Sequence, residues 1–188
     1  MKNGMFSKSA IVGLFCLLAA STAQAVSLDL NGNDDTARGT VAAYVTPEVV
    51  VDGSVLYYDE SDKSDEPPES GALAHLGANY VYKNLHFGLR GTYTSIDKYD
   101  LLSFGVGLNA RFGLMERLFF DLGGYYAPEF TSAMDSDGYA EVNARLSFNI
   151  IDPIDLYVGS RYIDVVIEDA DDRLKLDNNA YLGLKIYY

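Results

Sequence analysis

From residue 26 to the end of the chain, apolar and polar side chains alternate with a period of two over stretch after stretch. Residues 138–150 show it best. Ala140, Val142, Ala144, Leu146, Phe148 and Ile150 fall on one face, and Glu141, Asn143, Arg145, Ser147 and Asn149 on the other. Successive side chains of a strand point to opposite faces, so the pattern predicts a sheet with one apolar and one polar side. Strands are expected at 26–31, 38–45, 49–58, 72–82, 85–95, 102–112, 117–127, 138–150, 154–166 and 176–188. Most run to about ten residues or more, longer than the ~5–6 of an ordinary globular strand and matching the ~9–11 that cross a bilayer at a tilt. All five prolines (Pro47, Pro67, Pro68, Pro128 and Pro153) fall at expected strand ends or in loops, as a ladder without a spare edge requires.

The connections alternate in length. Short ones surround Pro47, Asn84, Met115 and Pro153, while longer polar ones cover 32–37, 59–71, 96–101, 128–137 and 167–175. Membrane barrels have this asymmetry, with tight periplasmic turns and long outer loops. If the last strand ends in the periplasm, the strand at 38–45 descends, and residues 26–31 must supply a rising strand before it. The expected fold is therefore all-β: a transmembrane, antiparallel, up-and-down β-barrel of ten strands, with eight as the alternative because Asp29 and Asn31 weaken the first. Residues 1–25 are expected to be a secretory signal peptide and 26–188 the barrel. Lys2 and Lys8 precede an apolar run at 10–20, and Ala23-Gln24-Ala25 gives a small-x-small cleavage site. Cys16, the only cysteine, lies in the signal, so no disulfide is expected in the barrel.

Orientation follows from charge and aromatic placement. The polar face carries Asp29, Asp52, Arg90, Arg111, Asp121, Glu141, Arg145, Asp155, Arg161 and Lys185 in mid-strand. Against lipid, an Arg or Lys at the midplane costs ~2–4 kcal/mol, so this face is expected to line the lumen. On the apolar face, Tyr57, Tyr93, Phe104 and Tyr126 gather near one set of strand ends, and Tyr82, Phe87, Phe112, Phe148 and Tyr188 near the other. Two aromatic girdles at the headgroup levels follow. The inward acids and bases balance, which predicts mutual pairing in a packed polar lumen with glycines beside large side chains; a water-filled pore is the alternative.

Composition narrows the function. Without Lys2 and Lys8 the 14 bases become 12 against 27 acids, a net charge of −15, which argues against nucleic acid as a partner. The acidic stretches at 59–69 and 168–173 lack the spacing of an EF-hand and read as solvated loops, with a divalent cation as the lesser alternative. His75 and His86 both fall on the polar face and read as structural. No serine nucleophile motif, phosphate loop or metal-ligand cluster is present, so no catalytic residue, metal or cofactor is expected.

The stretch Arg117-Leu118-Phe119-Phe120-Asp121-Leu122-Gly123-Gly124-Tyr125-Tyr126-Ala127-Pro128-Glu129, followed by Tyr139-Ala140-Glu141-Val142-Asn143-Ala144-Arg145 and Gly159-Ser160-Arg161-Tyr162, resembles the YfaZ family of outer-membrane proteins. The resemblance covers mainly 117–188 and departs at 33–70. It implies a bacterial outer-membrane barrel inserted by the barrel assembly machinery, with Leu182, Leu184, Ile186 and Tyr188 as the C-terminal signal, and it supplies no catalytic residues. The expected role is structural or that of a narrow passive channel in contact with outer-membrane lipid and lipopolysaccharide. The alternatives are a barrel enzyme acting on lipid or peptide at the outer rim, through acids such as Asp59, Glu60 and Asp169, and a soluble periplasmic barrel with an apolar ligand.

Overall fold

The computed structural model describes residues 25–60, 69–96, 99–167 and 173–188. The expected signal peptide, apart from Ala25, and most of the two acidic loops lie outside them. The described chain forms eleven strands: β1 (Ala25–Gly32), β2 (Thr36–Thr46), β3 (Val49–Glu60), β4 (Glu69–Tyr82), β5 (Leu85–Ile96), β6 (Tyr99–Met115), β7 (Leu118–Ala127), β8 (Ser132–Met134), β9 (Ser136–Ile151), β10 (Ile154–Ile167) and β11 (Arg173–Tyr187). Ten of them are staves of one antiparallel ring, each paired to its neighbour in the chain. The exception, β8, lies beside β6. The eight-strand alternative is therefore excluded, because β1 is a full member despite Asp29 and Asn31.

The ring closes between β1 and β11, with Leu28 opposite Ile186 and Asp29 opposite Lys185. Two more bonds extend the seam: the Tyr188 amide donates to the Val26 carbonyl at 2.7 Å and the Val26 amide to the Tyr188 carbonyl at 3.2 Å. Both ends of the described barrel thus lie on the side of the short turns. Four hairpins on that side have two residues between strands, at 47–48, 83–84, 116–117 and 152–153. Lys83 adopts a left-handed backbone with φ of 57°, the sign that tight hairpins need to follow the twist of their strands. On the opposite side the strands outrun the expected ends, so the connections at 33–35 and 97–98 are shorter than the sequence pattern predicted.

One side-chain period decides what faces outward. Leu182 is 70% exposed and Leu89 66%, whereas Arg161 is 2% exposed and Glu141 1%. Leu146 lies outside, and its neighbour Arg145 turns inward to bond carboxylates. A water-soluble barrel has the reverse arrangement, so the soluble alternative fails on this geometry. Tyr57, Phe104 and Tyr126 stand outward near the long-loop ends, and Tyr82, Phe87, Phe112 and Phe148 outward near the short turns. Replacing Val142, outward on β9 between the two girdles, by Arg is expected to destabilise the barrel by ~2–4 kcal/mol in a urea titration in lipid vesicles. A loss below about 0.5 kcal/mol would place this face away from hydrocarbon.

Candidate functional site: a two-part lumen

The lumen is divided along its length. At the long-loop end, Leu56 of β3, Leu73 of β4, Leu101 of β6, Ile163 and Val165 of β10 and Leu176 of β11 converge, all at most 2% exposed. Tyr58, Ile96, Tyr125, Ala127, Tyr139 and Ile167 belong to the same cluster. The expectation of a polar interior along the whole axis is corrected here: the outer part is an apolar plug. The strand period itself puts Leu56 and Tyr58 on the same face as Asp52, and Ile163 and Val165 on that of Arg161.

Below the plug the interior is charged. Glu141 accepts from Arg38 Nη1 at 2.6 Å, from Arg90 Nη1 at 2.7 Å and from the Tyr139 hydroxyl at 2.5 Å. Arg38 also bonds Ser54 through Nε and His75 Nδ1 through Nη2 at 3.2 Å. A guanidinium can only donate, so His75 Nδ1 accepts and its Nε2–H donates to Asp52 Oδ2 at 2.8 Å. Asn79 donates to the other Asp52 oxygen at 2.6 Å and accepts from the Tyr125 hydroxyl at 2.6 Å. The Arg90 guanidinium lies 3.5 Å from the centre of the Tyr125 ring, a stacked cation–π contact. Tyr125 fits because Gly107 lies opposite it on β6, where a Cβ would collide with the ring.

Two further groups continue the network. Arg145 holds Asp29 at 2.8 Å and Asp121 at 3.1 Å, while the Tyr157 hydroxyl bonds Asp29 and its ring rests over Gly183. Arg111 pairs with Asp155 at 2.9 Å, and the Tyr187 hydroxyl also donates to Asp155 at 2.9 Å. Farther along the strand that carries Asp155 and Tyr157, Arg161 bonds Asp177, Asn31 and Thr36. Of the bases placed inward from the sequence, only Lys185 has no carboxylate within 4.0 Å among the described residues; its ammonium lies 4.9 Å from the centre of the Tyr187 ring. The sequence pattern missed Arg38 and Asp177 as members of the network. Arg38 opens an expected strand and Asp177 falls just inside another, but both keep the inward parity of their strands.

Between the charged groups and the short-turn end lies a cavity of about 470 Å³. Its lining extends from Arg38 and Arg161 to Ala25, Tyr44 and Tyr187 at the rim. His86 and His75 both belong to this lining, with His75 buried in the network. Among the described residues no group of three His, Cys, Asp or Glu side chains is arranged to hold a metal ion.

A closed ring with an apolar exterior and paired charges within defines an integral outer-membrane β-barrel. The family described as YfaZ precursor matches residues 6–188, and the chain belongs to that family. It is 26% identical over 117 residues to the outer membrane protein YfaZ of Escherichia coli (strain K12), a match covering 62% of this chain and 59% of that relative. The chain therefore spans less than two thirds of that relative's length. Among solved structures, the outer membrane protease OmpT from Escherichia coli has a TM-score of 0.52 at 10% identity, covering 88% of this chain and 94% of that one. The outer membrane channel DcaP of Acinetobacter baumannii has a TM-score of 0.42 at 15% identity, covering 85% and 54%. These structural likenesses concern the fold alone. The protein resides in the outer membrane.

Glu141→Ala would leave Arg38 and Arg90 buried without their shared counter-charge. The expected loss is ~3–5 kcal/mol, the usual effect of removing one partner of a buried pair. The measurement is urea unfolding, together with the temperature at which the compact band converts to the unfolded one on a gel. An unchanged midpoint would show that the three side chains are not coupled.

Proposed function

We propose that this barrel is a structural component of the outer membrane whose lumen carries no steady current. The observation that supports this reading is the apolar plug. Leu56, Leu73 and Ile163 are fully buried across the long-loop end of the interior, so an ion crossing there would shed its water among chiefly apolar side chains. The paired charges beneath add to the closure. A filter that selects ions presents rings of one sign, whereas these arginines are each bound to a carboxylate.

Assembly follows the same reading. Leu182, Leu184, Ile186 and Tyr188 lie on the lipid side of β11 and its end, where the barrel assembly machinery would meet an apolar strand ending in an aromatic residue. Lipopolysaccharide is the proposed neighbour of the outer girdle. The reading gives the barrel no catalytic role, including for Asp59, Glu60 and Asp169.

Planar bilayers provide the test. The wild-type barrel is expected to stay silent, and the triple variant Leu56→Ser, Leu73→Ser, Ile163→Ser to show small current steps once its plug is wetted. Steady single-channel steps from the wild type would establish the narrow passive channel instead.

A further inference from the structure

We propose that the cavity at the short-turn end binds a small anionic solute through a carboxylate or phosphate group, held by Lys185 and Arg111. The cavity's lining carries six cationic side chains, five arginines and Lys185, against four carboxylates, Asp29, Asp52, Asp121 and Glu141. Each arginine has a carboxylate within salt-bridge distance. Lys185 is different, although strand pairing sets it opposite Asp29 on one side and Asp155 on the other.

Both of those acids are already committed. Asp29 receives Arg145, Asn31 and the Tyr157 hydroxyl, and Asp155 receives Arg111, Asn149 and the Tyr187 hydroxyl. Asp121, the next carboxylate along the wall, is bound by Arg145 and Ser147. Meanwhile Arg111 and Arg145 lie close enough to Lys185 to repel its charge, while Asp29 and Asp121 attract it from beyond salt-bridge distance. Three cations from β6, β9 and β11 thus approach one another across the lumen, and the hydrogen bonds that Asp29, Asp155 and Asp121 accept come from partners other than Lys185. An anion in the cavity relieves their repulsion and gives the Lys185 ammonium the acceptors it lacks.

Access and size agree with this assignment. Arg111 has the most exposed side chain of the paired lumen arginines, at 29%, and retains donors beyond those given to Asp155 and Tyr187. A volume of about 470 Å³ falls within the ~300–1,000 Å³ of small-molecule sites, and suits a tricarboxylate or a sugar phosphate. The plug at the far end makes the site one-sided, open toward the periplasm. Only this sidedness rests on the closed-lumen reading; affinity and conductance are measured separately, so either can fail alone.

The test is isothermal titration of the folded full-length protein in detergent, with inorganic phosphate and citrate as separate probes. Saturable binding of at least one probe is expected, weakening as sodium chloride is raised, and the preferred probe distinguishes phosphate from carboxylate. Lys185→Gln should bind ~10-fold more weakly, Lys185→Arg within about 3-fold of wild type, and Lys83→Gln, in the exposed short turn at 83–84, unchanged. Heat-dependent gel mobility confirms that each variant is folded. No saturable binding of either probe by the wild type overturns the proposal, as does a folded Lys185→Gln barrel with wild-type affinity. If Lys185→Gln does not fold, the proposal stands or falls on the wild-type titration and on the salt dependence.

Discussion

Hydrocarbon offers no partner to a backbone amide or carbonyl, and the architecture follows from that deficit. Each unsatisfied group there costs several kcal/mol, so a sheet in lipid must close on itself. Here the closure is the seam between β1 and β11, extended by the two bonds between Val26 and Tyr188. Ten staves make a narrow ring, and a narrow ring leaves an interior that side chains must fill. Tyrosine rings lying over Gly107 and Gly183 show how that filling is done.

Filling a lumen with charge brings its own constraint. Buried ion pairs contribute little net stability compared with apolar side chains of equal volume, because each ion must first be desolvated. Their value here is orientational. Strands apolar on both faces would have no preferred side toward lipid and would pair indiscriminately before insertion. A polar face settles which side is in, and a network such as Glu141 with Arg38, Arg90 and Tyr139 satisfies what that face carries inside. The outer plug can be apolar because the lower staves have already set the direction.

The same asymmetry explains what could be read from the sequence. Alternation of chemistry along β9 or β11 labels both faces at once, so strands, orientation and the paired arginines were legible. The plug was not, because apolar residues stand at both parities there (Val55, Leu56 and Tyr57 on β3, Val165, Val166 and Ile167 on β10), and only the parity carried from Asp52 and Arg161 identifies the inner face. Arg38 and Asp177 lay near the ends of expected strands, where a single charge reads equally well as loop. Lys185 keeps the parity of its strand and lines the cavity, but its lack of a carboxylate partner among the described residues depends on which neighbours engage Asp29 and Asp155, and alternation carries no such information.

The small strand β8 has a consequence of its own. β7 ends at Ala127, leaving the part of β6 around Leu101–Ser103 without its neighbour on that side. β8 occupies that margin, with Leu101 opposite Met134 and Ser103 opposite Ser132, and the Asp135 amide donating to the Asp100 carbonyl at 3.2 Å. An open margin is a template on which a strand from another molecule can add. Three residues folded back from a surface loop therefore bear on sociability: they keep the projecting lip of one barrel from zipping onto the next in a crowded bilayer.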